Sequence, residues 1–502
     1  MKNSQYDVII AGASNAGGFA AAFAAKNGAK VLVIDKAGST KFLYRDTIAS
    51  IGSKAQKAAG VKIDKTELIN FIAAFNQYNC DMNLLRTWVE NSAKSIDWID
   101  DEILRPHGAH ILATTDAPHK TYVNQAFPTG NEVSNSKDSF WEYHYGQWVL
   151  DKAEELGAEF CWHQKLEHLI TKDGKVIGAK IRDVETDQIK EIYSKNGVII
   201  CTGGYGSNLA LMQKWNPLGI KKNAYSDSQR DDGSGIVAAI EVGAAKDEEP
   251  AEIIFNRAAV PVGTNAKTFY KINHTPPEDP GYLWLGSYPF LKVNLNGERF
   301  FNESSPYQFD INAAMKQPGY LSVMIWSENN MSEQSLKECH TLGCSRLGYP
   351  GIFTAEEARA EVNDRIKDGL VKKADTIEEL AQMLNIPTKN LKKTVKRYNE
   401  ICKSGNDEDF GKEKNRLHSL EEGPYYGAML TGRLLATLDG LRINNKMQVL
   451  NEAGDVIPGL YAAGNCSGGF FWGSYPDRVP GLTASHAQTF GMLAGINAAK
   501  GI

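Results

Sequence analysis

The chain has 502 residues, 42% of them apolar and 23% charged, with a formal net charge of -5 at pH 7. This is enough chain for two or three domains with a large core. The mild acidity argues against general nucleic-acid binding, and no apolar run approaches the roughly 18 residues of a membrane-spanning helix. The polar start, Met1 to Tyr6, carries no twin-arginine pair and no apolar signal core, so the cytoplasm is the expected location. Seven scattered cysteines do not suggest a disulfide framework. Cys339, His340 and Cys344 lie close together without a second pair to complete a metal site. Neither a Cys-x-x-Cys-His haem motif nor a ferredoxin cysteine run occurs.

Residues 7–11 (Asp-Val-Ile-Ile-Ala) read as a buried strand, followed by Gly12-Ala-Ser-Asn-Ala-Gly17-Gly18 and an Ala/Phe-rich helix to about Asn27. Gly28 is a natural stop. A second strand, Lys30 to Ile34, ends in Asp35. Strand, glycine turn, helix, strand and terminal acid form the dinucleotide-binding βαβ pattern, with Ser14 in place of its middle glycine. From Leu68 to about Trp98 the pattern is helical. His107, His110 and His119 follow in a loop-like region without helical spacing or an acid cluster, which favours packing over metal binding. A helix from about Trp148 to Gly157 leads to Ala158-Glu-Phe-Cys-Trp162, after which come short strands at 166–171 and 176–182. Gly197 to Asn208 repeats the strand-to-glycine-turn theme, and Asp231-Asp-Gly-Ser-Gly235 opens a helix to Val242.

Residues 251–435 are rich in proline and aromatic loops. They contain an expected strand pair around Phe290 to Phe301, a helix over Thr354 to Asp368, and a capping box at Thr376-Ile-Glu-Glu379. This region reads as an inserted second domain between residues 1–250 and 436–502. Near the C-terminus, Leu460 to Ala463 looks like a buried strand that turns at Gly464. A polar loop with Tyr475, Asp477 and Arg478 leads to a helix starting near Gly481. A strand, a glycine turn and a helix start make a platform for a flavin ring, the helix N-terminus facing negative charge.

Four segments coincide: Gly12 to Gly17 with Asp35, Thr202-Gly203-Gly204, Asp232-Gly233-Ser234-Gly235, and Gly459-Leu-Tyr-Ala-Ala-Gly-Asn465. Together they resemble the FAD-binding family of fumarate reductase and 3-ketosteroid dehydrogenase flavoproteins, over nearly the whole chain. The resemblance implies an α/β fold, a split Rossmann-like FAD-binding domain with an inserted α+β capping domain, and an active site at the seam. It places Gly12, Ser14, Asn15, Ala16 and Gly17 at the pyrophosphate and Asp35, with Lys36 beside it, at the adenosine ribose. Thr202 and Gly203 fall near the adenosine half, and Ser53, Asn208, Asp232 and Gly464 elsewhere along FAD. Asn465 falls at the ribityl chain, where the family usually has Glu, and Leu482 and Thr483 at the far edge of the flavin.

The substrate side departs from the fumarate reductases. Gly297-Glu-Arg-Phe-Phe-Asn-Glu303 matches their motif, but their proton-delivering arginine is replaced by Tyr307 and a carboxylate-gripping histidine by Ala436. Their His-Pro-Thr motif is absent, whereas one substrate arginine survives as Arg478. Burying a second carboxylate without a partner is costly, so fumarate and succinate are poor candidates. Tyr307, Tyr475, Phe470, Phe471 and Trp472 are expected to line an apolar pocket, with Tyr307 moving a proton, Tyr475 polarising a carbonyl, and Arg478 holding a carbonyl or carboxylate. The expected function is reduction or desaturation of a C=C/CH–CH bond beside a carbonyl. A bulky cyclic enone such as a 3-ketosteroid is the favoured substrate, and an α,β-unsaturated aryl monocarboxylate the alternative. A non-catalytic flavin electron carrier is the reading from another class. An external electron donor or acceptor is expected.

Overall fold

The computed structural model describes residues 6–38, 47–115, 127–134, 145–228, 230–272, 281–340 and 354–502. His119 and Cys344 fall outside these. The apolar segments at both ends of the chain meet in one sheet, in the order Gln448–Leu450, Val456–Ala462, Ile189–Ile200, Tyr6–Ala11, Val31–Ile34, Glu159–Cys161. All neighbours are parallel except the antiparallel edge formed by Gln448–Leu450. Ile10 sits opposite Val33 on one side and Ile199 on the other. Such continuous apolar runs suit strands covered on both faces. Two of the covering helices, Asn15–Lys26 and Leu482–Lys500, lie unusually close. At Gly491 an added Cβ would stand 2.3 Å from the Ala16 carbonyl oxygen. The alanine-rich face of the first helix and the glycines of the last are thus one packing device.

A second sheet is built mostly from residues 251–435. Ala251–Val260 runs antiparallel to Tyr425–Thr437, which also pairs with Ser322–Ser327 and Val371–Ala374. Asn223–Ser226 and Gly473–Ser474 join this sheet from outside residues 251–435. Segments from both sides of residues 251–435 therefore complete this sheet.

Several local expectations shift. The helical stretch near 68–98 is two helices, Lys65–Phe75 and Met82–Trp98. Gln77 and Tyr78 take φ of 52° and 58°, which a helix cannot accommodate, and Asp81 caps the second helix by accepting from the Asn83 N–H. The strand expected to pair within 290–301 instead pairs Leu291–Val293 with Ser322–Ser327, leaving only an isolated Val293–Arg299 bridge. Reciprocal capping boxes form at Ser53 with Gln56, Ser327 with Asn330 and Thr354 with Glu357, whereas the expected one at Thr376 is only half made. Thr376 accepts from the Glu379 N–H. His107 stacks on Trp148 at 4.1 Å between ring centres, and His110 lies in a strand. Among the described residues no cluster of His, Cys, Asp and Glu could hold a metal ion, and no helix is long and apolar enough to cross a membrane.

Candidate active site

The first strand ends at Ala11, and Gly12 turns the chain at φ +100°. A Cβ on Gly12 would lie 2.2 Å from the Cys201 carbonyl oxygen, and one on Gly17 would lie 1.8 Å from that of Gly12. Only glycine allows backbone to approach this closely. The resulting hollow is lined by Gly12, Ser14, Asp35, Lys36, Thr202, Gly203 and Asp232, together with Gln164, Lys165, Arg230 and Asp231. The Asp35 carboxylate accepts the Ala13 and Ala37 N–H groups, both at 2.8 Å, which fixes it at the strand end. Lys36 and Lys165 flank Asp232 at 2.8 and 3.3 Å. Burial opposes ionisation of Asp232, but these ammonium groups outweigh it and bring the carboxyl down to about 2. Burial pushes Asp231 up to about 6. The buried Thr202 Oγ1 has no hydrogen-bond partner among the described residues.

Glycine cradle, ribose-side acid and orphaned hydroxyl fit the adenosine diphosphate half of FAD. Gly12, Ser14, Thr202 and Gly203 would hold it, with Asp35 near the ribose. Asn15 opens the first helix and accepts from Gln488 at 3.0 Å. Ala16 packs under Gly464, where a Cβ would come within 2.9 Å. Asn465 is half-buried at the same turn. Ser53 and Asn208 have structural work. Ser53 caps the helix Lys54–Ala58 and donates to Asn131. Asn208 caps Leu209–Trp215 and donates to the Asp232 carbonyl. Asp35→Ala is expected to raise the fraction of flavin-free protein after purification, read from the ratio of flavin to protein absorbance. An unchanged ratio would remove Asp35 from the cofactor site.

A second cavity lies where the Leu482–Lys500 helix begins. Its wall includes Ile253, Phe255, Arg257, Trp284, Tyr307, Tyr475, Asp477 and Thr483. Tyr475 accepts the Leu482 N–H at 3.1 Å, so its hydroxyl sits at the positive end of that helix. Burial pushes its phenol well up, with the Thr483 and Leu482 contacts opposing. Tyr307 opens the helix Tyr307–Ala314, and its N–H donates to Asp477 at 2.9 Å. Its ring meets Phe255 edge-on at 5.6 Å. Burial raises the Asp477 carboxyl, opposed by Arg478 and the Tyr307 N–H. Its Oδ1 is buried without a partner among the described residues.

Arg478 does not line this cavity. Its Nη2 donates to the Ser304 carbonyl at 2.7 Å, and Nη1 lies 3.6 Å from Asp477. Nor do Phe470, Phe471 and Trp472 line it. Phe470 packs on Trp88, His486 and Phe490, and Trp472 donates to Glu249. The cation at the cavity is instead Arg257. Ile253, Phe255 and Arg257 all reach the cavity wall from one strand, whose pairing with Tyr425–Thr437 shifts register after Ile253 and after Phe255.

A Rossmann-like sheet closed by both ends of the chain, with an aromatic pocket at the start of the last helix, defines a flavin-dependent oxidoreductase. The chain belongs to the FAD binding domain family, which matches residues 7–478. It is 25% identical to the vinyl phenol reductase of Lactiplantibacillus plantarum, over 99% of this chain and 97% of that one. It is 26% identical to the urocanate reductase of Eggerthella lenta, over 98% and 74%. The fold matches a Rhodococcus jostii 3-ketosteroid-Δ4-(5α)-dehydrogenase solved with 4-androstene-3,17-dione, at TM-score 0.70 and 22% identity, over 99% and 97% of the two chains. The protein is an FAD-dependent oxidoreductase acting on C=C or CH–CH bonds.

Proposed function

We propose that the enzyme reduces the C=C bond of a flat, aryl-substituted unsaturated substrate, with Tyr307 delivering the proton. The observation that carries this reading is the cavity wall: Phe255, Trp284, Tyr307 and Tyr475 offer aromatic rings, two of them phenols, with the cation Arg257 among them. Relatives named for vinyl phenol and urocanate, both planar conjugated molecules, support such a substrate over a bulky steroid. Reduced FAD, held at the glycine cradle of Gly12, Ser14, Thr202 and Gly203, would supply a hydride for one alkene carbon and return to its oxidised form. Tyr307 gives its proton to the other carbon, and Arg257, whose guanidinium carbon lies 5.6 Å from the Tyr307 ring centre, stabilises the charge left on the phenol oxygen. Burial keeps the Tyr475 phenol neutral and the Leu482 N–H fixes its oxygen in place, so that it shapes the flavin end of the pocket. The electrons are assigned to an external donor.

The test is anaerobic photoreduction of the flavin followed by mixing with candidate acceptors. Cinnamate, 4-vinylphenol or both should reoxidise the flavin rapidly, with fumarate and 4-androstene-3,17-dione at least about 100-fold slower. Ala436 and Tyr307 stand where the resemblance implies a clamp histidine and an acid arginine, which motivates the fumarate arm. Fumarate or the steroid as best acceptor would overturn the proposal.

A further inference from the structure

We propose that Arg257 is the anion-binding residue of the pocket, and that the substrate enters with a carboxylate seated on its guanidinium: an arylacrylate. This rests on the aryl-substrate reading above and names the group that the reading leaves open.

Arg257 is 1% exposed, in the middle of the strand Ala251–Val260. Its guanidinium stacks 3.8 Å from the Phe255 ring centre and 4.4 Å from that of Trp284. Nη1 donates to the Tyr282 hydroxyl at 3.0 Å, whereas Nε is buried without a partner among the described residues. No described carboxylate lies within ion-pair distance of it. Glu361 senses its charge, but spends its two oxygens on the Trp284 and Leu285 N–H groups at 2.6 and 3.1 Å.

Two other arginines with buried side chains meet carboxylates. Arg299 has Glu303 and Asp407, and Arg433 has Asp227 at 2.6 Å. Burying a guanidinium without an anion costs several kcal/mol, and aromatic faces return about 0.5–2 of it. An arginine left in this state on a cavity wall is explained if its counter-ion arrives with the ligand. A planar guanidinium also matches a carboxylate in two-point geometry. The flanking rings of Phe255 and Trp284 suit the conjugated plane beside that carboxylate. Arg478, the sequence candidate for this task, is already engaged with Ser304 and Asp477.

Two isosteric ligands separate charge from shape. Binding of cinnamate and of cinnamamide to the oxidised holoenzyme is followed by perturbation of the flavin spectrum. The wild-type protein should bind cinnamate at least about 30-fold more tightly than cinnamamide. In Arg257→Met, cinnamate affinity should fall on the order of 10²–10³-fold, the usual result of truncating one partner of a buried charge pair, with cinnamamide changed by less than about threefold. Arg257→Lys should lie between. Equal wild-type affinities, or equal losses for both ligands in Arg257→Met, would overturn the assignment. If Arg257→Met holds no flavin, the wild-type ligand pair and Arg257→Lys still decide. An enzyme whose reduced flavin responds to 4-vinylphenol but which shows no preference for the carboxylate refutes the role of Arg257 and leaves the aryl-reductase reading standing. One that responds to no aryl acceptor refutes the latter.

Discussion

Tyr307→Phe is expected to retain its flavin and its fold and to lose about 10²–10⁴-fold in turnover, the span for removing a positioned acid or base. The ring's place does not depend on its hydroxyl. The Tyr307 N–H is held by Asp477, and the ring rests against Phe255. Phenylalanine keeps both contacts, so substrate affinity should change little. What disappears is the phenol hydroxyl with its proton. The effect should therefore fall on kcat, with KM near wild type. Tyr475→Phe is the comparison. It frees the Leu482 N–H at the helix start, so it should alter the flavin spectrum and reduce turnover less than Tyr307→Phe. If Tyr475→Phe is inactive and Tyr307→Phe works within a few-fold of wild type, the proton comes from the other phenol.

The cofactor half was readable from sequence because its determinants are local. A buried strand, glycines that tolerate backbone contact and an acid at the next strand's end lie within about 30 residues, as the βαβ unit requires. The substrate half depends on non-local pairing. Arg257 could have been noticed as a cation set in an apolar strand, on the same face as Ile253 and Phe255. Its significance comes only from Trp284 and Tyr307 being folded over it. Arg478 and the 470–472 aromatics were misplaced for the converse reason. Gly473–Ser474 pairs with Ala251–Glu252, an arrangement invisible locally, and the preceding aromatics pack elsewhere. The helix break at 76–81 likewise answers to tertiary contact, since the Asp81 N–H donates to the Gly469 carbonyl.

Arg299→Met is expected to cost about 3–5 kcal/mol of unfolding free energy, the range for removing one member of a buried ion network. Gly297 turns the chain at φ +77°, and Arg299 then folds back on Glu303 through two hydrogen bonds, each 2.8 Å. It also grips Asp407 through bonds of 3.0 and 2.7 Å. With the arginine gone, Lys412, 3.5 Å from Glu303, is the remaining cation of the network. The loss reaches the active site because Ser304 follows directly. Its carbonyl accepts from Arg478, and Tyr307 begins its helix three residues on. The pH dependence has a definite sign. Burial resists ionisation of Glu303, but Lys412 and Arg299 outweigh it and hold the carboxyl below its usual range. Asp407 is held below its range in the same way, by the Arg299 bonds against burial. In the unfolded chain both bind protons at higher pH than in the folded one. Stability from this network is therefore full above the ordinary carboxylate values of about 3.9–4.3 and is lost as the pH falls through the lower folded ones. Denaturant unfolding of wild type between about pH 3 and pH 6 should show stability falling steeply at the acid end. Arg299→Met should start lower and show a shallower slope, because the remaining lysine depresses the carboxylates less. Equal slopes in the two proteins, or an unfolding free energy within about 1 kcal/mol of wild type at neutral pH, would mean that this region is held by its apolar packing and that the ion network is incidental to placing Tyr307.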